Sequence, residues 1–328
     1  MKSWMLKTAP RVALVLGTAV AAAGFVGPKP ECIAPANPGG GWDFTCRTVG
    51  RLLQELKILD TPMQVTNMPG AVGGVAFAHV AENRGKDPSL IVASSSVGMT
   101  QIAQNRYPGD ADKMRWLAML GADAGVVLVK ADSPYKTIKD LMEALKADPT
   151  AAVTAGSSGA GGYDHLRLLL LARAAGIKTE DLRKIRWVQF DGGTDAVTQM
   201  LGNHLQVVST DLGEIAGFVE AGQVRVLAVL TTDRLDAPFD KLPTAREQGL
   251  DVVGLNWRGF YTGGGVSDAD YEAMVAGLKK LYDSNEWKET ARKSGLQPSW
   301  NGGKEFEDFV RKSIADLRSL SKDIGVIK

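Results

Sequence analysis

The sequence predicts an α/β protein of two lobes, each a mixed sheet flanked by helices. Three observations predict it. The chain has 328 residues, above the ~250–300 at which one hydrophobic core stops growing, so two domains are expected. Short β-branched runs alternate with helical stretches, the pattern of a parallel or mixed sheet with helices on its faces. Two segments offer a crossover between lobes: residues 130–135, where Ser133-Pro134 breaks a strand, and residues 254–259, where a glycine-flanked strand returns. The expected division is 27–130 plus 256–328 for the first lobe and 131–255 for the second, with the carboxy-terminal helices packed on the first.

Lys2, Lys7 and Arg11 precede an uncharged stretch at 12–26, rich in Ala, Val and Gly and holding Ala21-Ala22-Ala23. These are the parts of a secretory signal peptide over residues 1–26. The apolar stretch falls short of the ~20 residues that span a bilayer; an uncleaved anchor helix is the alternative. A first strand then holds Cys32, and the helix after it holds Cys46 in its first turns. An oxidising compartment permits a disulfide between them, and two buried thiols are the alternative. Gln64-Val65-Thr66 reads as a strand, 75–81 as a helix, and 90–93, 125–129 and 152–154 as strands. The next helix sets Leu166, Leu169, Leu170 and Ala174 on one face. Residues 185–188, 206–208 and 224–230 are further strands. Ser267 with Asp270 three residues on marks a helix start, followed by Tyr271, Met274, Val275, Leu278 and Leu281 at helical spacing. Phe306, Phe309, Val310, Ile314 and Leu317 form a last amphipathic helix.

Composition excludes several functions. The 38 basic and 37 acidic residues are interspersed, for a net charge of +1. No basic stripe collects phosphates, so nucleic acid is not an expected partner. Two cysteines and the scattered His79, His165 and His204 give no zinc spacing. No phosphate loop or dinucleotide glycine motif is present, and no cofactor is expected.

Three strand–loop–helix junctions share a glycine-rich composition: Ala34-Pro35-Ala36-Asn37-Pro38-Gly39-Gly40-Gly41-Trp42-Asp43, Ala155-Gly156-Ser157-Ser158-Gly159-Ala160-Gly161-Gly162-Tyr163 and Phe190-Asp191-Gly192-Gly193-Thr194-Asp195. Glycine lets the backbone approach a ligand closely. A helix start leaves unpaired N–H groups and a partial positive charge. Together they receive a carboxylate or phosphate without a charged side chain. Any one junction alone is equally well a structural βα turn, with Asp43 as a cap; three in one chain favour binding. Ser94-Ser95-Ser96 adds hydroxyls to the same cleft or caps a helix. Arg258, in Trp257-Arg258-Gly259-Phe260, is the basic side chain expected in the cleft, where a guanidinium grips a carboxylate through two hydrogen bonds. Asp211 either accepts a ligand hydroxyl or caps the next helix, and Trp42 and Phe260 either wall the pocket or belong to the core.

Gly156-Ser157-Ser158-Gly159-Ala160 resembles the nucleophile turn of hydrolases but ends in alanine, and the histidine that follows at a useful distance, His204, sits at a probable helix end. A triad on Ser157 or Ser158 is therefore not expected, and the protein is read as no enzyme.

The junctions, in this order behind a signal peptide, resemble the tripartite tricarboxylate transporter receptor family, also called the Bug solute-binding proteins. The segment from Pro35 to Asp43 carries the resemblance most strongly, although many members have Thr at the position of Trp42. Support comes from 156–165, 190–196 and Trp257-Arg258-Gly259-Phe260, and the segments around Cys32 and Cys46-Arg47 resemble the citrate-type branch. The resemblance implies a type II-like two-lobed periplasmic binding protein with two interlobe crossovers. It assigns ligand contacts to Gly40, Gly41, Trp42, Asp43, Ser157, Ser158 and Gly161; the reading of the junctions and strand ends above adds Asn37, Ser94, Gly192, Thr194, Asp211 and Arg258 to the candidate site. Ala160 and Gly162 depart from the common Gly and Ser. The implied function is capture of a small di- or tricarboxylate, citrate-like, by a periplasmic monomer, with delivery to the membrane subunits of a tripartite transporter. The rivals are a binding module reporting to a membrane sensor kinase and an exported serine hydrolase.

Overall fold

The computed structural model describes residues 29–327; the segment read as a signal peptide lies outside them. The chain runs β1 (Glu31–Ala34), α1 (Gly41–Glu55), β2 (Gln64–Asn67), α2 (Gly74–Asn83), β3 (Leu90–Ser95), α3 (Ser96–Ala103) and β4 (Met114–Lys130). Then come α4 (Ile138–Ala147), β5 (Val153–Gly156), α5 (Tyr163–Ala174), α6 (Thr179–Leu182), β6 (Arg186–Gln189), α7 (Gly193–Leu201), β7 (Val207–Asp211), α8 (Leu212–Glu220) and β8 (Val224–Val229). The chain closes with β9 (Leu255–Gly263), α9 (Asp268–Asp283), α10 (Asn285–Lys293), β10 (Leu296–Gly302) and α11 (Lys304–Asp323).

The long β4 serves two sheets. Its first part pairs antiparallel with β9, from Met114 opposite Gly263 to Ala124 opposite Leu255, and with β10 on its other edge. Its second part pairs with β7, from Gly125 opposite Asp211, and with β8. The first sheet continues from β9 through β3, β1 and β2, and the second from β7 through β5 and β6. Each has parallel strands at its far end, joined by helical crossovers, as alternating strands and helices demand. The molecule is thus a two-lobed α/β fold. The change of sheet falls at Ala124–Gly125, upstream of Ser133-Pro134. There Gly125 and Gly254 lie against each other, and a Cβ on Gly125 would stand 2.5 Å from the Gly254 carbonyl oxygen. Leu230 bridges the two, donating to the Gly125 oxygen at 2.7 Å and accepting from the Gly254 amide at 2.9 Å.

Apolar clusters fill both faces of each sheet. Leu53, Phe260, Leu278 and Trp287 anchor one in the first lobe, and Phe77, Trp116 and Phe306 the other. Leu141, Leu168 and Leu227, and then Val208, Ile215 and Phe239, do the same in the second. Cys32 and Cys46 form a disulfide with Cα atoms 5.7 Å apart, tying β1 to α1. Ser267 caps α9 as its spacing from Asp270 implies.

Two expectations are corrected. α5 has no single apolar face: Asp164, His165, Leu166, Arg167, Leu168, Leu169 and Leu171 are all buried while Ala174 is exposed. The helix is enclosed nearly all round, so periodicity carried little information. The carboxy-terminal helices also do not all stay on the first lobe. Phe306, Val310 and Ile314 pack there, but the end of α11 and the residues beyond it, Leu320, Ile324 and Val326, pack on the second-lobe core. At ~1.5 Å per residue a 20-residue helix is ~30 Å long, enough to reach from one lobe to the other.

Candidate interlobe anion site

The loop from β1 to α1 is fixed from inside by Asp43. Its carboxylate accepts from the Gly39 amide at 2.9 Å, Asn67 Nδ2 at 2.8 Å and Arg47 Nε at 2.9 Å. Burial raises the pKa of Asp43, but these hydrogen bonds outweigh it and hold the carboxyl below its usual range. Gly40 caps α1 in an extended conformation and brings no side chain to do so. The amides of Gly41 and Trp42 therefore donate to no partner among the described residues, leaving the positive end of α1 open to an anion. Trp42 Nε1 donates to Ser95 Oγ at 3.2 Å, which fixes the indole against the end of β3.

The second lobe meets this end of α1 directly. A Cβ on Gly192 would lie 3.6 Å from Gly40 Cα, and Thr194 Oγ1 donates to the Gly39 carbonyl at 3.4 Å. Between the lobes is a cavity of about 20 Å³ lined by Gly41, Trp42, Ser95, Ser157, Glu214 and Arg258, with Ala36, Val97, Asp191 and Gly192 around them. That volume holds a single water. A ligand of several carbon atoms enters only if the lobes part. The space over Gly41 is filled in the observed closure: a methyl there would stand 2.5 Å from both Arg258 amino nitrogens and from Glu214 Oε1, and that pair would have to shift.

Behind the cavity is a buried ionic cluster. Arg258 Nη2 lies 2.8 Å from Asp211 Oδ2, 3.0 Å from Asp123 Oδ2 and 3.4 Å from Glu214 Oε1. Arg167 binds the other Asp211 oxygen at 2.7 Å, pairs with Asp164, and donates to the Gly254 carbonyl at 3.1 Å. Asn256 Nδ2 donates to Asp211 Oδ2 at 2.5 Å. Four carboxylates thus share two guanidiniums, all nearly out of solvent. Burial pushes the Asp123 carboxyl up to about 6 and Glu214 up to about 7, against the pull of Arg258. Asp164 is raised for the same reason, opposed by Arg167. Burial alone would lower Arg167 and Arg258, yet the carboxylates around them, Asp211 foremost, hold both above the usual arginine range.

Of the residues singled out in the sequence, Gly41, Trp42, Ser157, Gly192 and Arg258 line the cavity. Asn37, Gly40 and Asp43 shape the α1 loop, the Asn37 carbonyl accepting from the Gly40 amide. Thr194 bridges to Gly39. Ser94 is buried on β3 opposite Gly259. Ser158 is fully buried, its hydroxyl accepting from the Asp164 amide, and Gly161 faces α3 and the carboxy terminus, its oxygen accepting from Gln104 Nε2. Asp211 is wholly engaged by Arg167, Asn256 and Arg258. Ser157 Oγ donates to Asp164 at 2.6 Å and not to a histidine, while His204 is exposed. His165 Nδ1 accepts from the Gly161 amide at 2.8 Å, and burial lowers its pKa to about 4. No hydrolase triad is assembled from these groups. Asp123, Asp164, Arg167 and Glu214 were missed by sequence reasoning, whereas Ser95, offered as a cleft hydroxyl or a cap, both lines the cavity and caps α3. Their signal was present in part: Arg167 is a lone charge in an apolar run three residues after Asp164, and Asp123 is the lone charge in the middle of an apolar strand.

A family model described as the tripartite tricarboxylate transporter family receptor matches residues 49–326. The chain belongs to that family. Its members are receptors that bind solutes, not enzymes. A "UPF0065 protein in gbd 5'region" of Cupriavidus necator is 25% identical over 292 residues, covering 88% of this receptor and 85% of that protein. Among solved structures, MatC of Rhodopseudomonas palustris with bound malate superposes with a TM-score of 0.77 at 17% identity, covering 89% of this receptor and 98% of that chain. An R. palustris protein with adipate gives 0.81 at 19% identity, covering 90% and 97%. At that identity the likeness is one of fold. The receptor fold accounts for the spanning β4 and for loops from both lobes meeting at one cavity.

Proposed function

We propose that this receptor captures a small di- or tricarboxylate, citrate-like in size and charge, between a lobe formed by 29–124 with 255–314 and a lobe formed by 125–254. It acts as a monomer in the periplasm after loss of residues 1–26, and hands its cargo to the membrane subunits of a tripartite transporter. The observation that carries the ligand class is the open amino end of α1: Gly41 and Trp42, whose amides have no partner among the described residues, line a cavity walled by both lobes. Ser95 and Ser157 add hydroxyls at the same place. The malate and adipate held by the two fold relatives fit that class. Among the described residues no helix is long and apolar enough to cross a membrane, in keeping with a receptor that works beside its transporter.

In this mechanism a carboxylate settles on the α1 amides while the lobes are apart, and contact with both lobes favours closure. Arg258 was expected to balance the ligand's charge directly. Its Nη2 is shared among three protein carboxylates, which leaves Nη1, beside Gly41 and without a partner among the described residues, to meet the ligand. A thermal-shift panel of malate, adipate, citrate, aromatic carboxylates and neutral amides of the same acids tests the reading. Ligand at a hundred times its Kd adds ~2.7 kcal/mol of stability, so at least one acid raises Tm and its amide does not. An amide that stabilises where every acid fails refutes the anion site. Capture of tripartite-transporter subunits from membranes by the ligand-loaded protein tests delivery; capture of a sensor kinase instead refutes it.

A further inference from the structure

We propose that Glu214 is a ligand-contacting residue that meets a bound carboxylate as a neutral acid, so that the cleft captures its anion together with one proton. The proposal rests on the carboxylate reading of the cleft.

Glu214 lines the same cavity as Gly41, Trp42, Ser95 and Ser157. Its Oε2 is occupied by the Gly193 amide at 2.6 Å, which leaves Oε1 directed at the amino end of α1, where a Cβ on Gly41 would be 2.5 Å from it. An anion resting on the Gly41 and Trp42 amides therefore has Glu214 Oε1 as its neighbour across the cavity. Two ionised carboxylates sharing such a site repel strongly in a low-dielectric setting, and one of them keeps a proton. A carboxyl O–H at Oε1 turns that repulsion into a donated hydrogen bond.

Among the described residues the one cation at the cavity, Arg258, is outnumbered by acids: its Nη2 is shared among Asp211, Asp123 and Glu214, and only Nη1, beside Gly41, is left to face an added anion. The groups facing Glu214 are Arg258 from β9, Asp211 at the end of β7, Asp123 from β4, Asp164 and Arg167 from α5, the Gly193 amide of α7, and Asp191 in the loop before it. From α1 it meets Gly41, since Asp43 turns to Arg47 and Asn67. Arg258 serves three of the carboxylates and Arg167 two. Asp123 is not the proton acceptor in this scheme because it does not reach the cavity: its oxygens take the Gly213 amide and Arg258. Burial already lifts the Glu214 carboxyl to about 7, and an added anion lifts it further.

The test is isothermal titration of the full chain with malate, adipate and citrate from pH ~7 to ~9, in two buffers of different ionisation enthalpy, with the malate and adipate proton counts decisive near pH ~7, where citrate still carries part of its own last proton. Wild type is expected to take up about half a proton per ligand near pH ~7 and close to one at higher pH, with Kd rising by up to ~tenfold per pH unit. Glu214→Gln, whose amide donates at every pH, is expected to bind with a pH-independent Kd and no proton uptake. A wild-type Kd that stays flat across the range, or a pH dependence that survives in E214Q, overturns the proposal while leaving the carboxylate site standing. Absence of binding by all three acids at every pH overturns both. Should E214Q not fold, the wild-type proton count alone decides.

Discussion

Residues that look alike in the sequence have opposite fates in this protein. Asp43 and Glu214 both follow glycine closely and both are buried, yet one is held below the usual carboxylate range and the other far above it. The difference is partner supply: Asp43 has an arginine and two amide donors largely to itself, whereas Glu214 competes with three other acids for two guanidiniums. For Glu214 and Asp123 the folded-state value is raised, so their contribution to stability is full below ~4 and is lost as pH rises through about 6 to 7. Melts across pH 5 to 8 should therefore show Tm of the ligand-free protein falling with pH, and less so in Glu214→Gln; the two acids outweigh His165, whose lowered value adds stability as pH rises toward ~6.5. A Tm that climbs steadily through that window contradicts the burial account. Arg258→Met strips the counter-charge from three buried acids and should cost ~3–5 kcal/mol in urea denaturation at pH 8; a loss under ~1 kcal/mol would mean the cluster is already neutral. Only part of this was legible beforehand. The glycine loops declared themselves by composition, and lone charges in apolar runs marked Asp123 and the Asp164–Arg167 pair, but the rest of the cluster joins residues far apart in sequence, and spacing carries no trace of that pairing.

At the scale of elements, the sequence was clearest where one side of an element meets solvent. The α9 start at Ser267 and the apolar stripe of α11 were readable for that reason. β4 was readable in its second part from the valine-rich run 126–129, though it is buried on both faces; its first part, with Trp116, Leu117, Ala118 and Leu120 all buried, has neither alternation nor β-branched residues to betray it. α5 misled for the same reason. The disulfide between β1 and α1 closes a loop across a separation of 14 residues, which by chain entropy is worth ~3 kcal/mol. That loop also carries the amino end of α1. Replacing Cys32 and Cys46 together by alanine should lower stability by that order and weaken carboxylate binding more than it alters the far-UV spectrum, measured by denaturation and titration of the same sample. Equal affinity in the double variant would show that Asp43 and Asn67 position the loop unaided.

For the whole molecule, the spanning β4, the segment through Gly254 into β9, and α11 tie the lobes together, and a small cavity lies where the glycine loops meet. The lobe architecture followed from length and from strand–helix alternation. The position of the crossing did not, because a strand that changes partners part-way leaves no break in its own pattern. A cavity of about 20 Å³ requires opening before capture, so small-angle scattering should record a wider ligand-free distribution that narrows when a tight-binding acid is added. The central claim is that an anion rests on the open amides of α1 between the lobes. Calorimetric titration of wild type and Gly41→Ala with the strongest-binding acid tests it most directly, since the added methyl enters the space between those amides and the Arg258–Glu214 pair. The account predicts one ligand per wild-type chain and at least ~100-fold weaker binding in G41A, with its circular dichroism unchanged. Equal affinity in a folded G41A would contradict it.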